Sequence, residues 1–112
     1  MRLQPQEINA ITRVLGACLK DRPATLYLFG SRTQDKLKGG DMDLLVLAPE
    51  AVAKCLRARK HFLLAELKEE LGDQRIDLTL SEPAKARQDP FLAHALRTAV
   101  VLKRWGRHSS QV

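Results

Sequence analysis

Over residues 5–20, apolar side chains fall at Ile8, Ile11, Val14, Leu15, Cys18 and Leu19, a helical recurrence that predicts a core-packing helix with Pro5 in its first turn. Asp21-Arg22-Pro23 ends that pattern. Leu26, Tyr27, Leu28 and Phe29 then form a short apolar run closed by Gly30-Ser31, which reads as a buried strand entering a turn. A second strand is expected over residues 41–47, where a period of two sets Asp41 and Asp43 on one face and Met42 and Leu44 on the other. Pro49-Glu50 opens a helix predicted to run to about Leu71 on an apolar face of Val52, Leu56, Leu63, Leu67 and Leu71, with Gly72-Asp73 as its stop. A third strand follows over residues 75–80, with Ile76, Leu78 and Leu80 on one face and Asp77 and Thr79 on the other. Asp89 is a candidate cap and Pro90 a first helical residue for a last helix carrying Phe91, Leu92, Leu96, Val100 and Leu102 and ending near Trp105-Gly106.

A helix between the second and third strands is the usual link when strands run parallel. The fold expected is therefore α/β, a small mixed β-sheet flanked by about four helices. Its domain is expected over residues 1–106, with residues 107–112 as a disordered tail. A chain of 112 residues has room for one compact core and none for a separate acceptor-binding domain, so a partner is expected to complete any larger site.

Composition changes this picture little. Apolar residues make up 45% and charged residues 29%, the balance of a soluble globular protein, and no apolar run is long enough to span a membrane. Met1-Arg2 leads into polar residues rather than an apolar leader, and a cytoplasmic location is expected. A formal charge of +6 suits nucleotides or an acidic partner. Lys54, Arg57, Arg59, Lys60 and Lys68 are interspersed with Glu66, Glu69 and Glu70, and aromatics are only 4%, so nucleic acid is not the expected ligand. Cys18 and Cys55 read as reduced thiols, and His61, His94 and His108 lack the spacing of a zinc site.

The chemistry concentrates in residues 26–46. Gly30 permits close backbone approach, and Ser31 with the neighbouring amides can face an anion at the start of a helical turn. An ordinary strand-to-helix turn would look the same. Asp41 and Asp43 lie ~7 Å apart along their strand, close enough to converge on a hard cation such as magnesium, although solvated aspartates after the Gly39-Gly40 turn remain open. Asp77, in the middle of an apolar strand, is expected to be metal-bound, hydrogen-bonded or paired with Arg75 or Lys85, because a lone buried carboxylate is costly.

Gly30, Ser31 and Arg32, followed by Asp41 and Asp43, resemble the signature of the minimal nucleotidyltransferases of the DNA polymerase β-like superfamily. In that family a Gly-Ser turn precedes an Asp-x-Asp pair, and Asp77 matches its third carboxylate. Gly40 stands where a serine is common and Gln34 where a second arginine is common, with Lys36 and Lys38 as substitutes for that charge. The resemblance implies a polymerase β-like fold in which Asp41, Asp43 and Asp77 hold magnesium, two ions in all. It also implies that Gly30, Ser31 and Arg32 bind the phosphates of ATP. The implied reaction moves AMP to a hydroxyl, a tyrosine of a small helical HEPN-type toxin, which would make this chain the antitoxin. Two alternatives are a binding module that neutralises such a partner by contact, and an adenylyltransferase acting on a small molecule such as an aminoglycoside.

Overall fold

The computed structural model describes residues 3–29, 42–72 and 75–106. The first helix, α1 (Pro5–Leu19), forms where the apolar recurrence predicts it, and it buries Ile11, Val14, Leu15 and Leu19. Its start is closed by the Glu7 carboxylate, which accepts the Gln4 N–H at 2.9 Å. At its other end Arg22 donates to the carbonyls of Leu19 and Cys18, at 2.8 and 2.9 Å, so a side chain satisfies acceptors that the last turn leaves open.

Strand β1 (Ala24–Phe29) pairs antiparallel with β2 (Met42–Leu47), and β2 pairs parallel with β3 (Ile76–Ser81). Helices α2 (Glu50–Ala58) and α3 (Lys60–Leu71) make the crossover that a parallel pair requires. After β3 come α4 (Pro83–Gln88), α5 (Pro90–Leu96) and β4 (Val100–Trp105), and β4 adds antiparallel to β1. The result is a mixed sheet of order β3-β2-β1-β4 with five helices, the α/β architecture expected.

Both sheet faces carry apolar residues, and they are covered unequally. Leu26 and Leu28 of β1, Met42, Leu44 and Val46 of β2, and Ile76, Leu78 and Leu80 of β3 form one buried layer with α1, α2, α3 and Trp105. On the opposite face Phe29, Leu45 and Leu47 pack against Ala86 of α4 and Leu92 and Ala95 of α5. Those two short helices cover only part of that face, and its remainder carries the polar residues.

Two predicted helices are corrected. The span predicted as one helix from Pro49 to Leu71 breaks at Arg59, whose N–H closes back on the Leu56 carbonyl at 3.0 Å. The apolar positions on either side remain in phase, but the turn between Leu56 and Leu63 offers only polar or exposed residues, so no burial holds the helix straight there. The helix predicted from Asp89 to Trp105 stops at Leu96, and its second half is strand β4. Asp89 caps as expected, accepting from Phe91 N at 2.9 Å. The free edge of β1 then recruits the β-branched Val100-Val101 segment.

Gly72 and Gly106 both adopt positive φ, at 86° and 75°, but in different surroundings. A Cβ at Gly72 meets nothing within 4 Å, whereas one at Gly106 would lie 2.7 Å from Pro23 N and 2.8 Å from Asp21 O. Gly72→Ala should therefore cost about 1–3 kcal/mol of backbone strain, and Gly106→Ala clearly more, because backbone must also shift. Chemical denaturation of the two variants checks this, and equal losses would contradict the packing at Gly106.

Candidate active site

The end of β1 and the starts of β2 and β3 lie at one end of the sheet. The ladder between β2 and β3 begins with Met42 N–H donating to the Arg75 carbonyl at 2.9 Å. The register that follows sets Phe29 opposite Asp43, and Asp43 opposite Asp77. Neighbouring strands lie about 4.8 Å apart, and residues in register share a face, so the row Phe29, Asp43, Asp77 runs across three strands on one side. This is the side that α4 and α5 cover incompletely.

Asp43 is half-buried and Asp77 is exposed. Among the described residues Asp77 has no hydrogen-bond or ion-pair partner, and Lys85, one of the two cations that the sequence offered it, lies 3.4 Å from Glu82 instead. The expectation that Asp77 is a buried carboxylate is thus corrected. β3 is an edge strand, so water reaches the carboxylate and no burial penalty compels a partner. What remains is a pair of carboxylates on adjacent strands, open on one side, with the oxygen-donor chemistry that suits a hard divalent cation.

A cavity of about 810 Å³ opens over the pair. This is within the range of small-molecule sites, which run roughly 300–1,000 Å³. Helix α5 supplies one wall through Phe91, His94, Ala95 and, just beyond its end, Thr98. The spacing of these positions is that of one helical face. Phe91 stands edge-on to Phe29, with ring centroids 6.2 Å apart and an interplanar angle of 72°. It is 65% exposed. Phe29, Phe91, His94 and Lys60 also line this cavity, and none was predicted as a site residue. The available signal was the recurrence of Phe91, His94 and Thr98, which mixes aromatic and polar types where a core face would be uniformly apolar.

Of the residues predicted for the site, Asp43 and Asp77 are brought together. Gly30, Ser31, Arg32 and Asp41 lie outside the described residues, as do Gln34, Lys36 and Lys38. Among the described residues no group of three or more His, Cys, Asp or Glu side chains is placed to hold a metal ion.

Residues 11–102 match the model of a family described as nucleotidyltransferase domain. The match runs from within α1 into β4 and includes both Asp43 and Asp77. No curated protein matches the chain. Among the described residues no helix is long and apolar enough to cross a membrane.

Like charges directly opposed across a strand pair destabilise, by the same roughly 0.2–1 kcal/mol that opposite charges contribute. Asp77→Asn should therefore raise the unfolding free energy by about that much in metal-free buffer, while millimolar magnesium should stabilise wild type more than the variant. Thermal denaturation with and without magnesium checks both signs. A variant less stable than wild type without metal would contradict the opposed pair.

Proposed function

The chain belongs to the nucleotidyltransferase domain family, and from that premise we propose that it transfers a nucleoside monophosphate, AMP from ATP, to a hydroxyl acceptor. The observation that carries the reading is the Asp43–Asp77 register beneath an open cavity. In this reading Asp41 joins the pair as a magnesium ligand, and Gly30, Ser31 and Arg32 hold the outer phosphates, as the motif resemblance implies. The acceptor is a tyrosine of a small helical HEPN-type toxin, for which this chain acts as antitoxin in the cytoplasm, and residues 1–106 are the functional unit.

Magnesium held there supplies charge neutralisation for the triphosphate and acidifies the acceptor hydroxyl. The chain's own residues provide position and environment. Asp43, in the middle of the row, lies between the aromatic side chain of Phe29 and Asp77. Asp77, open to solvent, lies on the side from which an acceptor enters. Phe29 and Phe91 offer an apolar edge against which a planar ring can rest. In the transfer, the acceptor oxygen bonds to the α-phosphorus as the bond from that phosphorus to the bridging oxygen breaks. Pyrophosphate leaves with the electron pair, and the hydroxyl proton passes to solvent. Phosphoryl and nucleotidyl transfers depend mainly on positioning and charge stabilisation, and that is what a rigid sheet end provides.

The decisive test follows labelled AMP from ATP into a co-expressed small helical protein encoded beside this chain, together with growth rescue. Asp77→Asn should retain most MgATP binding by calorimetry and lose transfer by on the order of a thousandfold, about 4 kcal/mol of transition-state stabilisation. Label and rescue should fall together. Rescue by both forms with no label in either would reject the enzyme and leave a contact inhibitor.

A further inference from the structure

Among the described residues three large apolar side chains stand exposed, Phe62, Phe91 and Val101, and of these Phe91 is the one that lines the cavity over the acidic pair. Single exposed apolar residues are ordinary on a protein surface, so exposure alone assigns nothing. Phe91 is set apart by how firmly its backbone is held. It is the second residue of α5, and the Asp89 carboxylate accepts its N–H at 2.9 Å and that of Leu92 at 3.3 Å. Leu92 and Ala95, buried against the sheet, fix the same helix from its other side. The ring is thus displayed at a set place, with the buried Phe29 as its neighbour.

The geometry of that aromatic pair leaves a surface to be used. At an interplanar angle of 72° the two rings meet edge to face, and the 65% exposure of Phe91 shows that most of its surface takes no part in the contact. His94, one helical turn further on, and Thr98, just beyond the end of α5, are both exposed and line the same cavity. Among the described residues neither side chain has a hydrogen-bond partner. An imidazole and a hydroxyl can each donate and accept. An apolar ring face bordered by such groups matches a nucleobase, which has a π-face and a polar edge. The position suits a nucleotide as well. Phe29 sits opposite Asp43, about 4.5–5.5 Å away at its base, and the Phe91 ring stands a further step out, 6.2 Å between centroids. A nucleoside triphosphate with its phosphates at the carboxylates spans that interval with its sugar. Phe29 lies at the opposite end of the row from Asp77, so a base held there leaves Asp77 to the acceptor.

We propose that the exposed face of Phe91, bordered by His94 and Thr98, is a nucleobase subsite, and that it favours purines. The proposal rests on the nucleotidyl-transfer reading and adds which substrate the aromatic ring serves. Stacking accepts any base, because every base has a π-face, but the apolar surface removed from water grows with the area of overlap. A two-ring base therefore gains more on Phe91 than a one-ring base. His94 and Thr98 then meet the polar edge of the stacked ring, whose hydrogen bonds would otherwise go to water.

The test compares MgATP, MgUTP and magnesium tripolyphosphate, which has the phosphates without sugar or base, by calorimetry on the full chain. Wild type should bind MgATP more tightly than either of the others. Phe91→Ala should weaken MgATP by on the order of tenfold and leave tripolyphosphate unchanged, while Phe91→Tyr, which keeps the ring, should restore MgATP. Because Phe91 is largely exposed, its truncation should leave the fold intact, and unchanged tripolyphosphate binding checks that in the same experiment. Nuclear Overhauser contacts should join the protons of the adenine ring to the Phe91 ring. Several results would overturn the proposal: equal loss of MgATP and tripolyphosphate in Phe91→Ala, which would make the ring structural; no loss of either; or MgUTP bound as tightly as MgATP. A Phe91→Ala variant that binds MgATP normally but loses affinity for the acceptor would overturn it too, since the ring would then serve the acceptor. AMP transfer by a chain whose MgATP affinity ignores Phe91 would reject the subsite and keep the transferase. Phe91-dependent binding of MgATP without transfer to any acceptor would keep the subsite and reject the transferase. A chain that binds neither MgATP nor tripolyphosphate would reject both.

Discussion

The parallel register between β2 and β3 is the constraint on which the site depends, because it alone places Asp43 beside Asp77. A shift of one residue would turn Asp77 into the layer occupied by Leu44 and Leu78 and bring Ile76 to the open face. That alternative is prevented by burial rather than by the aspartates. Met42, Leu44, Val46, Ile76, Leu78 and Leu80 are all within 6% of complete burial beneath α1, α2 and α3. The acidic pair is therefore positioned by the apolar groups of alternate residues in the same strands, and the like-charge cost is borne by the core.

Unequal covering of the two sheet faces turns this register into a site. The three longer helices seal one face, and the two short ones leave the strand ends on the other open. Helix α5 is fixed by Leu92 and Ala95, and its adjoining stripe of Phe91, His94 and Thr98 is left facing the cavity. The same helix completes the second apolar cluster and walls the site, so disturbing its packing would be felt at the carboxylates. The Arg13–Glu70 ion pair joins α1 to α3 on the other face, where both side chains are largely solvated and contribute little.

Local patterns carried much of this organisation. The recurrence over α1, the alternation over β2 and β3, and the Asp89-Pro90 start of α5 are visible in sequence because each is set by residues within a few positions. The strand that carries Asp43 and the strand that carries Asp77 were likewise legible, together with the face these two aspartates share. Three features were not, and each is non-local. Strand β4 exists because β1 has a free edge, whereas its residues continue the helical spacing of Leu92 and Leu96 without interruption. The break at Arg59 lies in a turn whose neighbours remain in phase. The exposure of Asp77 follows from β3 being terminal in the sheet, and an alternating strand reads the same at an edge as at the centre.

The central claim is that Asp43 and Asp77 act together on one divalent cation at the open end of the sheet. Paramagnetic relaxation in solution tests it most directly, with manganese added in substoichiometric amounts to the isotopically labelled chain in the presence of ATP. The account predicts that the amide signals of Asp43, Leu44, Asp77 and Leu78 broaden first and in parallel, and that Asp77→Asn weakens the effect at both strands. Broadening confined to one of the two strands, or centred elsewhere in the molecule, would contradict it.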